Sequence, residues 1–173
     1  MIKNFRTIPW LTDGAIEFLT KFFTEKPNAT VLEFGAGGST VWMSKLTKNL
    51  TTIEHQEKWY REVSDYIKGH PECNPVDIRR LDLPYRTVCH KFPDEHFDLI
   101  LVDGRSRVEC THAALPKVKK DGYLMLDNAE RADYIGAFQS LCLWEMTRSV
   151  QKGPDSVGFG YTNWQTCWWR KPK

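Results

Sequence analysis

At 173 residues, with 24 basic and 22 acidic side chains mixed along the chain and a formal charge of +2, the sequence has the size of one domain spanning 1–173. Its charge offers no electrostatic case for nucleic acid or a membrane surface as partner. No apolar run approaches the ~20 residues of a spanning helix, and the first residues lack a secretory apolar core, so a cytoplasmic protein is expected. The cysteines (Cys73, Cys89, Cys110, Cys142, Cys167) are odd in number, include no C-x-x-C pair and read as reduced thiols.

In chain order, Ile8 to Leu11 lead into a helix opened by Thr12 or Asp13, with Ile16, Leu19, Phe22 and Phe23 on one face and Pro27-Asn28 as its end. Ala29 to Phe34 reads as a buried strand, Thr40 to Leu46 as a helix and Leu50 to Glu54 as a second strand, which makes a βαβ unit. Gln56 to Lys68 is a charged amphipathic helix closed by Gly69, His70 and Pro71. Val76 to Leu81 is a short third strand, followed by a loop through Pro84 and Pro93. Phe97 to Val102 is nearly continuous in branched apolar residues, as a central parallel strand should be. A helix from Arg107 to Pro116, a turn at Lys119 to Gly122, a fifth strand at Tyr123 to Leu126 and a helix from Arg131 to Leu143 follow. Glu145 to Val150 and Trp164 to Arg170 then form strands around a glycine-containing loop, Gly153 to Tyr161, short enough for an antiparallel hairpin.

This alternation predicts an α/β fold: a doubly wound, Rossmann-like, mostly parallel seven-stranded sheet with an antiparallel last strand. Ligands of such sheets sit beyond the carboxyl ends of the strands. The residues there are Glu33 to Ser39, Glu54-His55, Asp82, Asp103-Gly104 and Asp127-Asn128. In the glycine turn, Gly35, Gly37 and Gly38 let a ligand approach the backbone, and Ser39 stands where it caps the next helix. Glu54 lies 21 residues after Glu33, the separation that sets an acid on ribose hydroxyls. Thr40 stands where a dinucleotide fingerprint needs a small residue, and Glu33 precedes the first glycine. Such an acid is useless against a pyrophosphate but suits a ligand ammonium group. A nicotinamide-dependent oxidoreductase is therefore disfavoured.

These motifs resemble those of the class I S-adenosylmethionine-dependent methyltransferases. The resemblance rests on Glu33-Phe-Gly-Ala-Gly-Gly, Glu54, Phe97-Asp-Leu-Ile-Leu-Val-Asp103 and Lys120-Asp-Gly-Tyr-Leu-Met-Leu126, and covers roughly 27–130. It implies that Glu33, Gly35, Ala36, Gly37 and Ser39 hold the methionine part of S-adenosylmethionine, Glu54 the ribose, His55 the adenine edge and Asp82 the adenine amino group. Asp103, at the tip of the central strand, becomes the candidate for acceptor orientation or base catalysis and lies against the cofactor. Asp103 with Asp127-Asn128 is further similar to the metal site of catechol-type O-methyltransferases, three hard oxygen ligands suited to Mg²⁺ or Ca²⁺. The alternative at that place is a cationic rim of Arg105, Arg107 and Arg131 for an anionic acceptor. Trp10, Phe159, Tyr161 and Trp164 stand in segments placed to form an apolar acceptor wall.

Neither a double-glutamate loop nor a Pro-Pro-aromatic motif after the fourth strand is present, which disfavours protein-arginine and DNA-amino methylation. The expectation is a small-molecule acceptor methylated at oxygen, with a homodimer completing the pocket. The competing reading is a non-catalytic cofactor-binding module.

Overall fold

The computed structural model describes residues 7–153 and 163–173. Among them, seven strands form one sheet in the order β3-β2-β1-β4-β5-β7-β6. The strands are β1 (Thr30–Phe34), β2 (Asn49–Glu54), β3 (Asp77–Arg80), β4 (Phe97–Val102), β5 (Val118–Asp127), β6 (Glu145–Gln151) and β7 (Trp164–Arg170). Only β7 runs antiparallel, against both β5 and β6, as the short connection between the sixth and seventh segments implied. Strand order reverses between β1 and β4, the place where a doubly wound sheet opens its ligand crevice. Most of the expected hairpin loop lies outside the described residues.

The pleat divides the apolar residues of each strand between two layers. Val31, Leu50, Leu99, Leu101, Met125 and Trp168 face α1 (Asp13–Glu25), whose Ala15, Leu19, Phe22 and Phe23 cover them. Met43 of α2 (Gly38–Ser44) joins that layer, and Val41 packs with Val63 and Ile67 of α3 (Glu57–Gly69). Leu32, Phe34, Ile53, Ile100, Val102, Leu124, Leu126, Cys167 and Trp169 face the other way. There they meet the 3-10 helix Tyr85–Lys91, α4 (Arg107–Ala114) and α5 (Ile135–Ser140). The adjacent Trp168 and Trp169 are thus both core, on opposite faces.

Three elements differ from the sequence expectation. The loop after β3 contains the 3-10 helix, anchored by Tyr85, whose ring stacks on Phe34 at 5.6 Å. The helix expected over 131–143 is a 3-10 turn, Ala132–Tyr134, followed by the six-residue α5. β5 begins at Val118 rather than Tyr123, with its register to β4 shifted between Phe97 and Leu99. Lys119 to Gly122 is an irregularity within the strand: Asp121 takes φ 59°, and the Asp121 N–H bonds to the Lys171 carbonyl at 3.1 Å. No helix among the described residues is long and apolar enough to cross a membrane.

Candidate active site

The carboxyl ends of β1, β2 and β4 are tied together by main-chain bonds: Gly35 N–H to the Ile53 carbonyl at 2.8 Å and Asp103 N–H to the Phe34 carbonyl at 3.0 Å. Gly35 has φ +102°, and a Cβ there would lie 2.9 Å from the backbone of Gly104. The turns after β1 and β4 therefore touch backbone to backbone. Gly104 is equally constrained, since its own Cβ would collide with the Tyr85 hydroxyl. That hydroxyl accepts the Arg105 N–H and donates to the Arg105 carbonyl at 2.9 Å. Gly37 is different: its φ of −178° suits any residue, and a Cβ there would meet nothing within 4 Å. The turn at Gly37 thus faces open space.

Behind that turn, Glu33 is fully buried and receives three hydroxyls: Ser39 at 2.5 Å on Oε1, and Thr40 at 2.6 Å and Thr52 at 2.8 Å on Oε2. Burial pushes its carboxyl up to about 7, against the opposing pull of these hydrogen bonds. Thr40 Oγ1 also accepts the Gly37 N–H at 3.0 Å, which ties the turn to the first turn of α2. Thr40, read in the sequence only as an obstacle to a dinucleotide, is thus a partner of Glu33, and Thr52 is a second that sequence reasoning missed. The available signal was the pleat: Thr52 sits opposite Glu33 in the β1–β2 register.

Glu54 is buried at the end of β2. Its Oε2 accepts the Ala36 N–H at 2.8 Å, and its Oε1 accepts those of His55 and Gln56 at 2.7 Å each. The carboxylate clasps the glycine turn to the β2 end. His55 Nδ1 lies 2.9 Å from Glu54 Oε1 without hydrogen-bond alignment, and its ring is tilted 5.8 Å from that of Tyr85. Asp82 stands apart: its side chain is 78 % exposed and pairs with Arg80 at 2.6 Å.

At the other side of the crevice the structure brings Asp103 and Asp127 to one guanidinium. Arg107, buried at the start of α4, donates from Nη2 to the Asp103 carbonyl at 2.8 Å and makes an ion pair with Asp103 Oδ1 at 2.9 Å. Its Nε donates to the Gly104 carbonyl at 3.0 Å, and its Nη1 to the Asp127 carbonyl at 2.5 Å, with Asp127 Oδ2 at 3.9 Å. Asp127 Oδ1 is already taken by Thr166 Oγ1 at 2.7 Å and Trp164 Nε1 at 3.0 Å. Asn128 adopts φ 50° and its carbonyl accepts the Arg131 N–H at 3.1 Å. Burial, then the charge of Asp103, pushes the Asp127 carboxyl up to about 8, and burial raises Asp103 against the pull of Arg107 and Arg131.

This arrangement does not fit a divalent metal held by Asp103, Asp127 and Asn128. The space between the two carboxylates belongs to a cation the chain itself carries, and Asp127 has given an oxygen to Trp164 and Thr166. Of the expected cationic rim, Arg107 is instead an internal tie, whereas Arg105 is exposed. Trp164, expected in an acceptor wall, is buried and bonded to Asp127; Trp10 is 51 % exposed, and Phe159 and Tyr161 lie outside the described residues.

A family model described as "Methyltransferase domain" matches residues 32–129, more than half of the chain and all of the strand-end turns from β1 to β5. No curated protein matches the sequence. Among solved structures, the chain is similar to a methyltransferase-like protein from Silicibacter pomeroyi, with 22% identity, 97% of this chain and 91% of that one covered and a TM-score of 0.68. A precorrin 8w decarboxylase from Methanobacterium thermoautotrophicum aligns at 14% identity over 94% and 93% of the two chains, TM-score 0.67. The N-methyltransferase NodS from Bradyrhizobium japonicum aligns at 14% over 92% and 96%, TM-score 0.61. At these identities the structural likeness speaks for the fold alone, and it agrees with the family model, whose match makes this chain a member of the methyltransferase-domain family: a class I S-adenosylmethionine-dependent methyltransferase.

Proposed function

We propose that the chain, as a single domain, methylates a small-molecule acceptor at oxygen, with the cofactor across the ends of β1 and β2 and the acceptor beyond β4. The observation that carries the acceptor reading is Asp103. Its Oδ1 is held by Arg107, while Oδ2 accepts no hydrogen bond among the described residues, and burial raises the carboxyl above its ordinary value, which makes it a stronger base. A hydroxyl bonded to Oδ2 passes its proton there as its oxygen becomes the nucleophile. The open Cβ position of Gly37 supports cofactor approach, and Glu33, Gly35, Ala36 and Ser39 build the wall behind it. Glu54 meets the ribose and His55 the adenine edge. When bound, the cofactor's sulfonium supplies the activated methyl group; this chain aligns the acceptor and excludes water. Asp82 belongs to this set only if it leaves Arg80.

Calorimetry with S-adenosylmethionine, its demethylated product and a nicotinamide dinucleotide tests the cofactor site. Binding of the first two alone is expected, and binding of the dinucleotide alone would overturn the assignment. Mass spectrometry over a panel of hydroxyl and amino acceptors then tests the acceptor. O-methyl products that fall at least about a hundredfold in rate with Asp103→Asn support the reading; products methylated only at nitrogen refute it.

A further inference from the structure

The geometry points to Arg107 as the resident cation of the acceptor site, a positioning residue that fills with a guanidinium the place between Asp103 and Asp127 where a divalent metal would otherwise sit. This rests on the methyltransferase reading only for where the acceptor lies. Three of the five guanidinium N–H groups donate to the carbonyls of Asp103, Gly104 and Asp127, and the guanidinium pairs with Asp103 Oδ1 at 2.9 Å. No other described side chain touches both strand ends in this way. The carbonyls at the ends of β4 and β5 have no further strand to pair with, and the planar fork of Arg satisfies three of them while facing both carboxylates. The Tyr134 ring lies 5.6 Å from its carbon, closing the far side.

Two consequences follow from this occupancy. A metal ion coordinated by Asp103 and Asp127 would sit against a fixed, buried positive charge, so the native protein should be indifferent to divalent cations. Removal of the guanidinium leaves two carboxylates facing one gap, together with three unbonded carbonyls. That is a hard-oxygen set of the kind Mg²⁺, Mn²⁺ or Ca²⁺ prefers. The cation's duty is to hold Asp103 Oδ1, so that Oδ2 alone is directed to the acceptor.

The test is thermal melting of the full chain in chelator, Mg²⁺, Mn²⁺ or Ca²⁺, with neither cofactor nor acceptor added, so that its outcome is independent of the cofactor calorimetry. Wild type should melt at one temperature in all four. Arg107→Ala should melt lower in chelator and regain about 3 °C or more with at least one divalent cation, in a saturable manner. Arg107→Ala with Asp103→Asn should lose that gain. Arg107→Lys, which keeps a charge but not the fork, should fold and stay metal-insensitive. A saturable shift in wild type overturns the proposal, as does an Arg107→Ala protein that folds and ignores all three cations. If Arg107→Ala fails to fold in chelator, recovery of a folded species with a divalent cation supports the proposal and its absence refutes it. A purely structural tie would lower the melting point without creating metal affinity.

Discussion

Glu33 carries an acid-base consequence that stands apart from catalysis. Its folded-state carboxyl holds a proton up to about 7 against an ordinary 4.5, because burial outweighs three donated hydroxyls. The native state therefore binds this proton more tightly than the unfolded chain does. The stability it contributes is full below about pH 4.5 and is lost as the pH rises through 7, at a cost of about 3 kcal/mol. Asp127, also raised, adds a slope of the same sign. Glu33→Gln keeps the shape and hydrogen-bonding capacity of the site and removes the titration. Urea denaturation at intervals from pH 5 to 8 should show a shallower fall for Glu33→Gln than for wild type by most of that amount, with the Asp127 contribution common to both. Equal slopes would mean that Glu33 ionises normally in its pocket.

The two glycines of the turn separate fold from function at the same scale. Gly35 is required by the protein, through its positive φ and the backbone of Gly104, so Gly35→Ala should destabilise by about 1–3 kcal/mol or more. Gly37 is required by nothing the chain itself supplies. Gly37→Val should therefore melt within a few degrees of wild type while cofactor affinity in calorimetry drops at least about tenfold. An unchanged affinity would remove the cofactor from above this residue. Sequence reading marked both glycines alike because composition does not distinguish a glycine the backbone needs from one a ligand needs.

At the scale of elements, Thr166 of β7 joins three pieces of chain. Its hydroxyl donates to Asp127 of β5 and accepts the Thr12 N–H at 3.2 Å, at the entrance to α1. Thr166→Val keeps the shape but removes one of the two side-chain donors to a buried carboxyl oxygen and leaves the Thr12 amide without its acceptor, and should cost about 1–3 kcal/mol in chemical denaturation. Thr147→Val on the exposed edge strand β6 should stay within about 0.5 kcal/mol. A similar loss in both variants would show that β propensity, not the hydrogen bonds, decides. The elements that periodicity or apolar runs define (α1, β1, β2, β4 and β7) were legible in the sequence to within a residue or two. The early start of β5 was not, because Lys119-Lys-Asp-Gly122 has the composition of a turn while its pairing comes from the distant Lys171. Asp103 and Glu54 were legible as strand-end acids, but their partners were not. That Arg107 folds back four residues to Asp103 and across to Asp127 depends on the left-handed φ of 50° at Ser106, which no local composition signals.

For the whole molecule, the crevice lies where strand order reverses, and both layers of the core reach it: Phe34 and Tyr85 from one side, Glu33 with Ser39 and Thr40 from the other. A ligand seated there touches parts of both layers, so its binding energy should stabilise the entire domain rather than one turn. At about one hundred times its dissociation constant, a ligand that binds only the folded chain adds about 2.7 kcal/mol. In a chain of this length that raises the melting temperature by roughly 5–11 °C. S-adenosylmethionine and its demethylated product should each give such a shift in a single cooperative transition, and a nicotinamide dinucleotide at equal concentration should give none. Two separated transitions, with only one moved by the cofactor, would instead mean that the β5–β7–β6 side unfolds independently of the crevice. The Asp127–Thr166–Thr12 link, which ties that side to the entrance of α1, argues for the single transition.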